Sequence, residues 1–221
     1  MPQETFRGSY IMNRNEELNF AASDFKIYIM DKFKQDKCAE LIANLNSMIY
    51  SQAPRPMYNT NHKIKSPYEI PKDNQVLDVF INSSGGDFDV LSQISFLFGL
   101  AKSRGWIIRT SVPAYAASCG SMLAIQGTPG YRIMGENAQH LVHYGRTVNE
   151  VNLPTEVDKA YQDMLNHANA TQRFYLQYTN ISEPELKELR SDEYGYLSAQ
   201  KCLKLGFCDW ILQNNGHLKS K

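Results

Sequence analysis

The sequence predicts an α/β protein built around a mainly parallel β-sheet. Short runs rich in Val, Ile and Phe alternate with longer segments whose apolar residues recur at helical spacing, and glycine-containing turns separate them. An alternation of strands and helices implies right-handed crossovers and parallel neighbours in the sheet. The 221 residues are enough for one domain with a sizeable core.

The first elements are one strand and one helix, followed by a long loop. The run FKIYIM at 25–30 predicts a strand, and the spacing of apolar residues at 36–50 predicts a helix. Residues 51–74 contain four prolines among many polar residues. We therefore expect a long insertion loop there.

The middle of the chain predicts a strand, a helix and a second strand. QVLDVFIN at 75–82 predicts a strand that stops at the glycines of SSGGD. Residues 88–103 predict a helix that Gly105 ends, and WIIRTSV at 106–112 predicts the next strand. Small residues then lead into a short helix through 122–125.

The last third predicts two strands and a long helix, then a short helix and a closing strand. The strands are expected at 130–134 and 139–144, and the long helix at 155–179. LSAQKCLKLG predicts a short helix with Ser198 as its N-cap and Gly206 as its end, and FCDWIL predicts the final strand.

We therefore expect three parts in the chain. Residues 1–24 are polar and irregular and predict a flexible N-terminal arm. Residues 25–212 form the folded domain, which includes the 51–74 loop. Residues 213–221 predict a disordered tail.

The composition excludes several functional classes. Lys plus Arg and Asp plus Glu number 23 each, which leaves no basic field for nucleic acid or for a membrane surface. No apolar run reaches the roughly 18 residues of a spanning helix, and the N-terminus lacks the order of a secretory signal. None of the four cysteines forms a C-x-x-C pair. We predict reduced thiols, a cytoplasmic location and no metal or organic cofactor.

The stretch AASCGSMLA offers a candidate nucleophile. Ser118 lies where a predicted strand meets a predicted helix, the arrangement of a nucleophile elbow. The alternative is that Ser118 only caps the helix. Two other residues compete with Ser118 as the nucleophile. Ser121 lies one turn into the predicted helix, where we expect its side chain to be packed. Cys119 has no neighbouring cation that would favour its thiolate.

A hydroxyl nucleophile needs a base, and the histidines of HLVH are the candidates. His140 and His143 are three residues apart, so on an extended strand they point to opposite faces. Only one of them can therefore face a given serine.

Four motifs in one order carry a family resemblance: INSSGG, AASCGSMLAIQG, RIMGENAQHLVHY and YLSAQKCLKLGFCDWIL. Together they resemble the ClpP family of serine peptidases over residues 25–212. The resemblance implies the ClpP/crotonase-type fold, a repeated ββα spiral with a projecting handle helix. Ser84 departs from the family pattern, which has proline there.

The resemblance implies an acyl-transfer site. Ser118 matches the family nucleophile and His143 matches the family histidine. The backbone N–H groups of Gly86 and Cys119 are our choice for the oxyanion hole, with Gly85 as the next candidate.

The third catalytic member departs from the family pattern. The family aspartate lies two residues before the aromatic residue of the F-L-S/T-A motif, and that position is Tyr194 here. Asp192 and Glu193 lie just upstream. We choose Asp192 as the acid that orients His143.

The resemblance also implies partners. It points to a homo-oligomer of two stacked heptameric rings that cleaves peptides and unfolded proteins, supplied by an AAA+ Clp ATPase. Apolar residues of the 88–103 helix fit either subunit contacts or core packing: Ile94, Leu97, Phe98 and Leu100.

Three alternatives remain at this stage. The first is a noncatalytic ring subunit of the same family. The second is a crotonase-type acyl-CoA enzyme, which uses a similar oxyanion hole without a serine nucleophile. The third is a Ser–Lys peptidase related to signal-peptide peptidases, for which Lys102 and Lys159 are the available bases.

Overall fold

The computed structural model describes residues 20–23, 25–60, 64–143, 154–191 and 195–221. These residues contain the strands β1 (Phe20–Ser23), β2 (Lys26–Ile29), β3 (Gln75–Ile81), β4 (Trp106–Val112), β5 (Tyr115–Ala117), β6 (Arg132–Gly135), β7 (Gln139–Val142), β8 (Gly195–Ser198), β9 (Trp210–Leu212) and β10 (Leu218–Ser220). They contain the helices α1 (Gln35–Ser51), α2 (Phe88–Ser103), α3 (Cys119–Ala124), α4 (Pro154–Tyr178), α5 (Glu183–Ser191) and α6 (Ala199–Leu205).

The strands form two sheets, and the larger one is mainly parallel. Its order is β1-β2-β3-β4-β6-β9-β10. Neighbours from β2 to β9 are parallel, and only the two edge pairs, β1–β2 and β9–β10, are antiparallel. A second sheet has the order β5-β7-β8. The prediction of an α/β fold with a mainly parallel sheet is confirmed.

The core lies between the large sheet and the helices packed against it. Side chains of β3 alternate between buried and half-buried, and α1 and α2 pack against each other and the core. Ile94, Leu97 and Phe98 are buried in this core. Core packing therefore explains these three apolar residues of α2, while Phe96 on the same helix is 72% exposed.

The longer predicted elements are confirmed with small shifts at their ends. The described parts of the 51–74 loop, at 52–60 and 64–74, contain neither helix nor strand. Ser198 accepts a hydrogen bond from the Lys201 N–H, and Gly206 has a φ of 77°, so both ends of α6 are as predicted.

Both ends of the chain contain strands that the sequence did not predict. β1 lies within the predicted N-terminal arm and pairs with β2, while residues 1–19 lie outside the described residues. The predicted disordered tail contains β10, which pairs with β9 through a turn at Gly216. The Gln213 N–H donates to the His217 carbonyl at 2.9 Å, as expected for a hairpin.

A partly buried ion pair, with Arg132 as its buried member, joins the C-terminal segment to the sheet. Arg132 on β6 donates from Nε and Nη2 to the Asp209 carboxylate at 2.9 and 2.6 Å. Its Nη1 donates to the carbonyls of Tyr178 and Gly206, each at 2.8 Å, at the ends of α4 and α6. Arg132 is thus fully engaged with three different elements.

Replacing one member of this pair should destabilise the protein strongly. In Asp209→Asn the Arg132 charge stays buried without its counter-ion, which typically costs about 3–5 kcal/mol. Urea unfolding measures the free energy. As a control, Asp31→Asn removes the carboxylate of the more exposed pair with Lys37 and should cost less than about 1 kcal/mol. Equal losses in the two variants would contradict the prediction.

A second buried polar pair lies beneath α3. The Ser121 hydroxyl and His140 Nδ1 are 2.8 Å apart, and the two side chains are 0% and 1% exposed. Burial, and secondarily the Arg132 charge, lower the pKa of His140 to about 3. The imidazole is therefore neutral in the folded protein at physiological pH.

His140 should make the protein less stable in acid. The unfolded chain binds a proton at His140 below its ordinary pKa of 6.5, whereas the folded protein does so only near pH 3. Between these values the unfolding free energy falls as pH falls, by at most about 1.4 kcal/mol per pH unit.

Urea unfolding between pH 7 and pH 4 measures this slope. His140→Leu should have a shallower pH dependence than the wild type, whatever its stability at pH 7. His217→Gln, which changes an exposed histidine, should keep the wild-type slope. If the unfolding free energy of His140→Leu depends on pH as steeply as that of the wild type, the buried neutral imidazole is not the source of the acid destabilisation.

Candidate active site

Ser118 lies at a strained turn between β5 and α3. Its φ and ψ are 51° and −123°, and Phe25 is the only other non-glycine residue with positive φ in the described part of the chain. Such a conformation costs about 1–3 kcal/mol and occurs mostly at functional sites. The Ser118 side chain makes no capping hydrogen bond to α3. The alternative that Ser118 only caps the helix is therefore wrong.

Backbone hydrogen bonds hold this turn on both sides. The Ser118 N–H donates to the Leu141 carbonyl of β7 at 3.0 Å, and the Ala117 N–H donates to the Ser83 carbonyl at 2.9 Å. The Met122 N–H donates to the Ser118 carbonyl at 3.0 Å and begins the helix. The conformation of Ser118 is thus fixed from β7, from the loop after β3 and from α3.

Two glycines allow the loop after β3 to touch the turn. A Cβ on Gly85, whose φ is 94°, would lie 2.7 Å from Ser118 Cβ. A Cβ on Gly120 would lie 2.9 Å from the Ser83 carbonyl oxygen. Side chains at these positions would push the two segments apart.

Ser118 and His143 line the same cavity, which has a volume of about 430 Å³. Ser118 is half-buried, and His143 directly follows β7 and is also half-buried. His140 lies on the other face of β7, buried against Ser121 and edge-on to Phe207. The prediction that the two histidines face opposite sides is confirmed.

The predicted oxyanion donors also line this cavity, together with Gly85. The Gly85 N–H donates to Ser83 Oγ at 3.1 Å, so it is already engaged. Within the described residues, the N–H groups of Gly86 and Cys119 donate no backbone hydrogen bond. This difference favours Gly86 over Gly85 as the partner of Cys119 in an oxyanion hole.

Cys119 is a poor nucleophile in this site. Its Sγ donates to the Gly86 carbonyl at 3.0 Å, and burial raises the pKa of the thiol to about 11. The thiol therefore stays protonated at neutral pH, and Ser118 is the better candidate.

The predicted acid belongs to a segment that the structure does not describe. Asp192, Glu193 and Tyr194 lie outside the described residues, so Asp192 remains a prediction. The two lysines of the Ser–Lys alternative do not line the cavity: Lys102 donates to the carbonyl of Gln126, which follows the end of α3, and Lys159 is exposed on α4.

Sequence reasoning missed the wall that α4 contributes to the cavity. His167, Thr171 and Tyr175 line it, and Lys32, which follows β2, lines it as well. The spacing of four residues along the predicted long helix puts the three α4 side chains on one face. Only the folded chain shows that this face meets Ser118.

The residues that the structure describes contain no cluster of three or more His, Cys, Asp or Glu side chains able to hold a metal ion. None of the helices in these residues is both long enough and apolar enough to cross a bilayer.

Comparisons with known proteins support the family resemblance. The family model described as Clp protease matches residues 34–215. An ATP-dependent Clp protease proteolytic subunit of Streptococcus salivarius is 29% identical over 140 residues, covering 62% of this chain and 68% of the relative. The subunit of the same name from Streptococcus sanguinis strain SK36 is 25% identical over 138 residues, with the same coverage. The family match spans most of the folded domain, and on this basis the chain belongs to the Clp protease family.

Proposed function

We propose that this chain is a serine endopeptidase and the proteolytic subunit of a Clp-type ATP-dependent protease. The observation that carries the proposal is the strained Ser118, which shares one cavity with His143. Membership of the Clp protease family supports peptide-bond hydrolysis as the reaction.

In the proposed mechanism His143 removes the hydroxyl proton of Ser118 while Oγ bonds to the carbonyl carbon of the peptide. The N–H groups of Gly86 and Cys119 stabilise the negative charge on the carbonyl oxygen. The C–N bond then breaks, and His143 gives the proton to the leaving amine. Water, activated by the same histidine, releases the acid product from Ser118. Asp192 is proposed to hold His143 in orientation.

The assembly and partners are proposed from the family. The subunit would form two stacked heptameric rings with Ser118 facing the inner chamber, and an AAA+ Clp ATPase would supply unfolded proteins. Hydrolysis of short peptides needs no cofactor in this proposal. The proposed location is the cytoplasm.

One observation favours a second candidate, a noncatalytic ring subunit. Tyr194 occupies the position where the family has its catalytic aspartate. A site in which neither Asp192 nor Glu193 reaches His143 would have a weakly activated serine. The strained conformation of Ser118 favours the active peptidase, because backbone strain of this kind clusters at functional sites. A crotonase-type enzyme also has no role for this serine.

Substitution of the two catalytic candidates tests the proposal. Ser118→Ala and His143→Ala should each lower kcat for a fluorogenic short peptide by at least about a thousandfold. Asp192→Ala should lower it by at least about tenfold, since the histidine loses its orienting acid. Ser92→Ala, an exposed serine on α2 outside the cavity, should keep wild-type activity.

Particle mass and phosphonate labelling should be measured on the same samples. Retention of cleavage by Ser118→Ala would overturn the assignment of the nucleophile. A correctly assembled particle without a fluorophosphonate adduct on Ser118 would support the noncatalytic subunit instead. Unchanged activity in Asp192→Ala would exclude Asp192 as the acid.

The contact between Gly85 and Ser118 gives a separate prediction. Gly85→Ala should lower kcat by at least about tenfold, because the new Cβ meets Ser118 Cβ at 2.7 Å and displaces the hydroxyl. Gly216→Ala is the matched control, since Gly216 has a similar φ of 85° but nothing within 4 Å of the added Cβ. Equal kcat values in the two variants would show that the close contact does not position the serine.

A further inference from the structure

The loop after β3, which carries Gly86, is held in place by the segment that follows β2. The Phe33 N–H donates to the Gly85 carbonyl at 2.7 Å, and the Asp87 N–H donates to the Phe33 carbonyl at 2.9 Å. Phe33 is 0% exposed and belongs to the hydrophobic core. A backbone segment anchored in the core therefore pairs with the loop on both sides of Gly86, which forms a parallel β-bridge with Phe33.

The bond from Phe33 sets the direction of the Gly86 N–H. A trans peptide points its C=O and its N–H in opposite directions. Because the Gly85 carbonyl points at Phe33, the Gly86 N–H of the same peptide plane points away from Phe33. The turn at Ser118 lies on that other side: an added Cβ on Gly86 would meet the Phe33 backbone, whereas one on Gly85 would lie 2.9 Å from the Cys119 nitrogen. The Gly86 N–H therefore points toward the turn that carries the candidate nucleophile.

The Ser83 side chain connects the loop to the same segment. It is 1% exposed, and its hydroxyl donates to the Asp31 carbonyl at 2.5 Å. The same oxygen accepts the Gly85 N–H at 3.1 Å. Asp31 lies two residues before Phe33. One hydroxyl thus fixes the N–H of Gly85 and ties to the loop the segment that holds the Gly85 carbonyl.

The peptide plane between Gly85 and Gly86 needs such external bonds. The φ angles of the two glycines are 94° and 142°, and without a Cβ at either residue few steric contacts oppose a rotation of the plane between them. A half-turn would put the Gly85 carbonyl oxygen where the Gly86 N–H is. A carbonyl oxygen in that place would repel the negative charge of a tetrahedral intermediate instead of stabilising it.

We propose that Ser83 is a positioning residue of the oxyanion hole: its hydroxyl keeps the Gly85–Gly86 peptide plane in the orientation that donates to the substrate's carbonyl oxygen. The inference rests on the proposed function, because it adds a residue to the same reaction. Ser83 does not line the cavity, so it acts only through the loop. Since the charge on that oxygen develops in the transition state, loss of the hydroxyl lowers kcat and leaves KM unchanged.

Ser83→Ala in the full-length protein tests the role with a fluorogenic short peptide. Its kcat should fall at least about tenfold, while KM stays within about twofold of the wild type. The pH dependence of kcat/KM reports the ionisation of His143 in the free enzyme. Its midpoint should not move, because the Ser83 hydroxyl bonds to Asp31 and Gly85 and not to the histidine.

Two further variants separate positioning from stability. Thr128→Val is the matched control: Thr128 is 4% exposed, and its Oγ1 accepts the Ile108 N–H at 2.9 Å, but it lies outside the cavity. Its kcat should equal that of the wild type. Ser83→Cys keeps a weaker donor and acceptor at the same position and should have an intermediate kcat, which decides the question if Ser83→Ala does not assemble.

A peptide aldehyde and the alcohol of the same peptide separate transition-state stabilisation from binding. Ser118 Oγ adds to the aldehyde carbon, and the serine proton ends on the aldehyde oxygen, so a hemiacetal forms without a leaving group. The alcohol cannot form this bond. In Ser83→Ala the inhibition constant of the aldehyde should rise at least about fivefold, and that of the alcohol should stay within about twofold of the wild type.

The outcomes separate this inference from the proposed function. A wild-type kcat in Ser83→Ala would overturn the positioning role. A changed KM, alcohol affinity or pH midpoint, or an equal loss of kcat in Thr128→Val, would overturn it as well, because the damage would then be general. In each of these cases cleavage by the wild type and its loss in Ser118→Ala keep the peptidase. Assembled wild-type protein with neither cleavage nor a Ser118 adduct would overturn the proposed function, and this inference with it.

Discussion

The contact between two turns is the constraint on which the rest of the site depends. The loop after β3 and the segment around β5 meet at the β-bridge between Ser83 and Ala116. The Ser83 N–H donates to the Tyr115 carbonyl, and the Ser83 carbonyl accepts from the Ala117 N–H. The close approach needs glycine at 85 and at 120, since an added Cβ would lie within 3 Å of the opposite segment. These backbone hydrogen bonds offset the strain at Ser118, which is of the order of 1–3 kcal/mol. They also bring both amides of the proposed oxyanion hole to the serine.

The sequence predicted the elements that have a strong pattern of their own. The helices α1, α2 and α4 and the strands β3 and β4 have seven or more residues, and their apolar spacing is visible without knowledge of the fold. The missed strands β1, β5, β8 and β10 have three or four residues and exist because a neighbour supplies their hydrogen bonds. The β9–β10 hairpin did have a local signal, the Asn-Gly pair before His217. The general tendency of chain ends to be disordered predicted a tail there instead.

In the candidate site, only residues that belong to the four ordered motifs were predicted from the sequence. Ser118, His143, Gly86 and Cys119 line one cavity, and each belongs to a motif near a strand end. The contribution of α4 to the cavity could not be predicted, because about fifty residues separate His167, Thr171 and Tyr175 from Ser118 and no local pattern shows which helix face meets the cavity. Asp192 remains a prediction, and its motif is the one in which the sequence departs from the family pattern, at Tyr194.

Ser121 with His140 and Ser118 with His143 combine the same two residue types but differ in burial. Ser121 and His140 make a hydrogen bond of 2.8 Å, yet both are buried, and burial keeps the imidazole neutral at physiological pH. A base that cannot become charged cannot take the proton of an attacking hydroxyl. Ser118 and His143 are half-buried and line one open cavity, which a substrate can enter. The buried pair instead joins α3, which begins directly after Ser118, to β7, which ends directly before His143.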